Sequence, residues 1–162
     1  MTSLAPALAP SARRALAEGL AGVFADTYSL YLTTQRFHWN VEGPHFQSLH
    51  ALFQSQYEGL AMAIDALAEA IRALGFYAPG TFREMEGRAS LAQPEARFDA
   101  AGMVRFLADA HGQVAARVRE LLPAVEPKGA ELVENLLMAR LEAHDEAAWM
   151  LRASLGEGSE AL

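Results

Sequence analysis

Residues 38–50 read HWNVEGPHFQSLH, and the Gly43-Pro44 pair at their centre decides how the first half of the chain is cut. A helix rarely runs through Gly-Pro, because proline removes an N–H and disfavours the helical region for the residue before it. Upstream, Leu16, Leu20, Val23, Phe24, Thr27, Leu30, Tyr31 and Phe37 recur with helical periodicity, so a first amphipathic helix begins after Pro10, with Ser11 as its N-cap. Downstream, Phe46, Leu49, Leu52, Phe53, Leu60, Ile64, Leu67 and Ile71 predict a second helix over 44–74, with Gly75 as its stop. His38 stands just before the break and His50 a turn or two after it.

Farther along, residues 75–97 hold three Gly and two Pro and read mostly as a connection. A third helix is expected over 98–122, weakened but not broken by Gly102 and Gly112, and a fourth over 130–155 after the turn PAVEPKG. No alternating run argues for a strand. The reading is all-α: two antiparallel hairpins joined by a long link. That link fits the one-crossover topology of ferritin-like four-helix bundles better than a plain up-down bundle with a loose loop. Residues 1–10 read as an arm, 11–156 as the bundle and 157–162 as a short acidic tail.

Composition narrows the function classes. With 162 residues and 52% hydrophobic content, one domain with a sizeable core is expected. No apolar run is long enough to span a bilayer, and the first ten residues lack the pattern of a secretory signal, so no membrane role and a cytoplasmic location are expected. The chain has no cysteine, which removes disulfides, thiolate metal sites and cysteine nucleophiles. A formal charge of −7 disfavours a general grip on nucleic acid and suits cations, although an ordinary acidic protein looks the same.

An intra-bundle carboxylate centre usually draws on Glu-x-x-His. Three places before the five histidines stand Gln35, Glu42, Gln47, Ala108 and Leu141. Only Glu42 fits, and Gly43-Pro44 separates it from His45, so that motif is absent. On the second helix, His50, Gln54, Glu58, Asp65 and Glu69 share one stripe at about 100° per residue. The stripe is too long for one copy to fold its two ends onto one ion. Two copies packed antiparallel about Gly59 could join them, with His38 beside His50, to give two sites per dimer. The competing reading is a solvated acidic face and a satisfied core histidine. His111 and His144 match no motif and read as ordinary helix residues.

The pattern His38-Trp39-Asn40-Val41-x-Gly43-x-x-Phe46-x-x-Leu49-His50, followed by Tyr57, Asp65, Ala68-Glu69 and Ile71-Arg72-x-Leu74-Gly75, resembles the Dps family of mini-ferritins. The final HDEAAWMLRASL is also similar to that family's last helix. The resemblance implies a four-helix bundle with a short extra helix in the middle connection, assembled as a hollow dodecamer built from dimers. It implies binding of Fe(II) between two-fold-related subunits, oxidation preferably by hydrogen peroxide, and storage of ferric mineral. Carried over by position, His38 and His50 would be iron ligands from one chain, and Asp65 and Glu69 ligands from its partner. Trp39 would quench stray oxidising radicals. Glu131 and Glu134 would line pores for iron entry, and Glu58 would support the site. Zinc or another divalent ion would also fit such a ligand set.

Two departures from the family pattern qualify this. Gln54 stands where Asp or Glu is usual, which predicts a weaker second iron position or a slower ferroxidase, and in the limit a metal-binding shell without turnover. Ala70 stands where an arginine is frequent. The first charged side chain is Arg13 and the chain ends ASLGEGSEAL, so neither end offers the basic tail that DNA-coating relatives use. DNA binding is not expected, and a mainly DNA-protecting role is the more distant alternative.

Overall fold

The computed structural model describes residues 8–125 and 130–156; residues 1–7 of the expected arm, the expected tail 157–162 and residues 126–129 lie outside the described residues. Five α-helices follow one another: α1 (Pro10–Asn40), α2 (Phe46–Ala73), α3 (Phe82–Glu86), α4 (Ala100–Leu121) and α5 (Glu131–Ser154), with a 3₁₀ turn at Leu122–Ala124. No strand occurs among the described residues.

The ends of these helices follow from local chemistry. Ser11 is not the N-cap of α1: the helix begins one residue earlier, with Pro10 in its first turn and Ala9 at the cap making no side-chain bond. Proline's fixed φ and missing N–H suit that position, so the helix starts on it rather than after it. α2 begins at Phe46 rather than 44, because Gly43 takes φ +106° and its carbonyl accepts from the Phe46 N–H at 3.0 Å in a turn that uses Pro44 and His45. At the other end, Gly75 (φ +90°) donates to the Arg72 carbonyl and Phe76 donates to that of Ile71, the paired bonds of a Schellman stop. Thr81 and Glu84 form a capping box for α3, and the Asp99 carboxylate accepts from the Gly102 N–H at 2.7 Å to start α4.

The path of the connection sets the topology. Arg14 lies over the Phe76 ring, so the end of α2 sits beside the start of α1. From there the chain runs the length of α1. Ser90 and Leu91 bond to Asp26, Gln93 to Ser29 and Thr33, and the Pro94 and Ala96 carbonyls accept from Arg36. Phe98 then meets Phe37 edge-on at 5.9 Å. α4 therefore starts at the end where α2 starts, and the two run parallel. This is the one-crossover bundle.

Asp26 carries this connection. It is buried, and its carboxylate accepts from the Ser90 N–H (2.6 Å), the Ser90 hydroxyl (2.7 Å), the Leu91 N–H (2.9 Å) and Arg117 of α4 (2.5 Å). Arg117 fits only because Gly22 faces it: a Cβ there would stand 2.1 Å from the guanidinium. Two apolar clusters fill the bundle on either side of its middle. Leu16, Leu20, Leu67, Ile71 and Leu137 belong to one, and Leu30, Phe37, Phe53, Leu107 and Leu151 to the other. Between Leu137 and Leu151 on α5 stands His144, buried against His111 of α4. Burial lowers His111 to about 3, helped by the neighbouring His144, and lowers His144 to about 4, helped by the Arg140 cation.

Asp26→Ala is expected to cost about 3–5 kcal/mol in chemical denaturation, since Arg117 and two main-chain donors lose their partner. Amide exchange at Ser90 and Leu91 should rise with it. The two histidines add a pH dependence. Their folded values lie below the unfolded 6.5, so their stabilising effect is full above pH 6.5 and is lost as pH falls toward 4. Each contributes a slope on the order of 1 kcal/mol per pH unit over that window. Thermal melts at pH 7, 6, 5 and 4 should show the decline, and His144→Leu should flatten it.

Candidate metal centre

The turn at 41–45 brings the end of α1 against the start of α2, and with it His38 against His50. Their rings stack with centroids 3.7 Å apart and 22° between planes. The His38 Nδ1 lies 2.8 Å from the His50 main-chain carbonyl, and the His50 Nδ1 lies 2.8 Å from the His38 carbonyl. A carbonyl oxygen only accepts, so each Nδ1 carries a proton and donates it. In the neutral rings both Nε2 atoms keep their lone pairs for a metal, and the second bond of each ring fixes its orientation. His38 is buried and His50 half-buried; Tyr57 meets His38 edge-on at 5.2 Å and Phe46 covers His50 at 4.9 Å.

The other predicted residues lie apart from this pair. Asp65 and Glu69 are exposed on α2, roughly 22 and 28 Å from His50 along the axis at about 1.5 Å per residue. Among the described residues no group of three or more His, Cys, Asp or Glu converges as an ion would require. Gln54 is exposed and donates its amide N–H to Glu58 Oε1 at 2.8 Å, which ties these two neighbours on the stripe to each other. Trp39, next to the pair, is 66% exposed. Glu131 and Glu134 are exposed in the first turn of α5, where acids favour the helix dipole. Gly59 lines a groove between α2 and α5.

Sequence reasoning found the His38–His50 pair and missed the His111–His144 pair. The first spans a tight turn and is local. The second joins residues 33 apart on two helices, Nδ1 to Nδ1 at 2.9 Å, and no spacing rule announces it.

The comparisons bear on the family and the fold. The ferritin-like domain family matches residues 17–161. The chain is 39% identical over 137 residues to a low temperature-induced protein of Nostoc, covering 80% of this chain and 73% of that one. It is 29% identical over 133 residues to DNA protection during starvation protein 2 of Bacillus anthracis, covering 82% and 91%. The crystal structure of the Dps protein from Vibrio cholerae, described as a member of the ferritin-like diiron-carboxylate superfamily, superposes with a TM-score of 0.85 at 27% identity, covering 90% and 91%. The chain belongs to the Dps family of ferritin-like proteins.

Solid-state ¹⁵N spectra of histidine-labelled protein at pH 8 are expected to show protonated Nδ1 and bare Nε2 for His38 and His50, assigned through His38→Ala and His50→Ala. A bare Nδ1 on either ring would contradict the reciprocal bonding.

Proposed function

We propose that the protein is an iron-sequestering mini-ferritin. It oxidises Fe(II), preferably with hydrogen peroxide, at sites between two-fold-related subunits and stores the ferric product in a dodecameric shell in the cytoplasm. The observation that carries this reading is the His38–His50 pair: two imidazoles locked by their Nδ1 protons, with both Nε2 lone pairs left over and, among the described residues, no carboxylate of the same chain converging on them. Asp65 and Glu69 of an antiparallel partner would complete the ligand set. The absence of a membrane-length apolar helix among the described residues fits such a shell.

Iron is the substrate here. Two Fe(II) ions give one electron each to one peroxide, which takes two protons and leaves as two waters. Paired delivery avoids the single-electron step that releases hydroxyl radical. Imidazole and carboxylate together suit Fe(II) and hold the Fe(III) product, and zinc or another divalent ion would compete for the same atoms. Trp39, exposed beside the pair, is placed to intercept stray oxidant. Glu131 and Glu134, with their helix start facing solvent, are the candidates for guiding iron inward. With a net charge of −7 on these residues, the shell is read as one that does not hold DNA.

A second reading rests on Gln54. Its amide N–H is given to Glu58 and it brings no charge, so the second iron position is weakened and the protein shades toward a metal-binding shell with slow turnover. One assay separates the two. Metal-free assembled protein is loaded with Fe(II) without oxygen, peroxide is injected and ferric absorbance followed. Two irons oxidised per peroxide, at least roughly 10-fold slower in Asp65→Ala, is the expected result. A Gln54→Asp variant faster than wild type would show what the amide costs. Oxidation no faster than in protein-free buffer would favour the second reading.

A further inference from the structure

We propose that His111 and His144 form a second metal site, inside each four-helix bundle, which takes one borderline divalent transition-metal ion such as zinc between their Nδ1 atoms.

The two rings project from α4 and α5 into the base of a groove of about 560 Å³ between α2 and α5, also lined by Gln56, Gly59, Met62 and Met150. Both histidines are almost wholly buried. Their Nδ1 atoms stand 2.9 Å apart. Two nitrogens each about 2.0–2.1 Å from one ion at a right angle stand about 2.9 Å apart, and a tetrahedral ion needs only about half an ångström more. The rings are thus already spaced as two ligands of one ion.

The hydrogen-bonding balance points the same way. Without a metal, one ring must donate its Nδ1 proton to the other, which leaves one Nε2 as a lone pair and the other as an N–H. Both Nε2 atoms are buried without a partner, and so are the amide nitrogen and oxygen of Gln56. Buried polar atoms without partners are costly, and these four belong to residues that line one groove. An ion on both Nδ1 atoms would replace the shared hydrogen bond, with its proton moving to an Nε2, so that both Nε2 become donors.

The chemistry of the donors selects the ion. Among the described residues no carboxylate converges with the rings, so hard ions such as magnesium or calcium find no adequate ligands there, whereas imidazole suits zinc, copper and nickel. The charged groups facing the groove are Arg140 and Glu146 of α5, one of each sign; the lining residues from α2 and α4 carry none beyond His111 itself. Asp145 is engaged by Arg119 at 2.6 Å. The site shares no residue with the His38–His50 pair and does not depend on its ferroxidase role.

Two measurements test it. Crystals of the assembled wild-type protein, grown without metal and equilibrated with micromolar zinc, are analysed at the zinc absorption edge. An anomalous peak within bonding distance of a nitrogen of both His111 and His144 is expected; a peak at His38–His50 alone, or none, would overturn the proposal. In solution, His50→Ala protein, whose intersubunit site is disabled, is dialysed against micromolar zinc at pH 7. One zinc retained per chain supports the site and none refutes it. Adding His144→Leu should abolish that retention, and if this variant fails to assemble, the wild-type map decides alone.

Discussion

The carboxylate of Asp26 lies in the middle of α1, out of water, and the rest of the bundle is arranged around satisfying it. An isolated buried carboxylate would be driven to neutrality or would unfold the helix that carries it. Here four donors converge, three from the connection at Ser90 and Leu91 and one from Arg117 of α4. Three of them are main-chain or hydroxyl groups of the connecting segment. Binding them to α1 forces the connection along that helix, which delivers α4 to the far end of the bundle. The parallel arrangement of α2 and α4 therefore rests on one charge and its partners as much as on apolar burial. Gly22 belongs to the same constraint, because any side chain there would evict the guanidinium.

The His38–His50 pair depends on the hairpin at the other end. Gly43 takes a conformation that other residues resist, the turn closes in five residues, and two main-chain carbonyls at the helix ends become acceptors for two rings. Carbonyls near a helix C-terminus and a helix start are ordinary features; what is unusual is that each serves the other helix's histidine. Each ring is held by the one bond that its own Nδ1 donates, so neither can rotate without breaking it. A ligand pair held this way loses little entropy when an ion arrives. That is a physical reason for placing two histidines on either side of a Gly-Pro break instead of at the usual i, i+4 spacing on one helix.

Much of this was legible in the sequence, and the failures are informative. Helical periodicity located all four long helices to within about two residues, and Gly75 was read correctly as a stop because the Schellman geometry needs a positive φ. Ser11 was misplaced because proline's own preference for the first turn outweighed a good capping side chain. The short α3 was announced by Thr81-x-x-Glu84, a capping box readable in the chain but hidden within a Gly- and Pro-rich link. His38 and His50 were found since they are local and carry the family pattern. Asp26, Arg117, His111 and His144 were not singled out: each works through a partner on another helix, and periodicity says only that a residue faces inward, not what it meets there.

The separation of His50 from Asp65 and Glu69 along α2 has an energetic consequence if the proposed iron site is right. Neither half of the ligand set binds iron well alone, so the ion binds paired chains far better than single ones. By mass action, iron then stabilises the two-fold contact by RT ln(1 + [Fe]/Kd), about 2.7 kcal/mol at a hundredfold excess over Kd. Assembly and loading become coupled equilibria, each favouring the other to the same extent. The site proposed between His111 and His144 draws both of its ligands from one chain, so its ligand set would carry no such coupling.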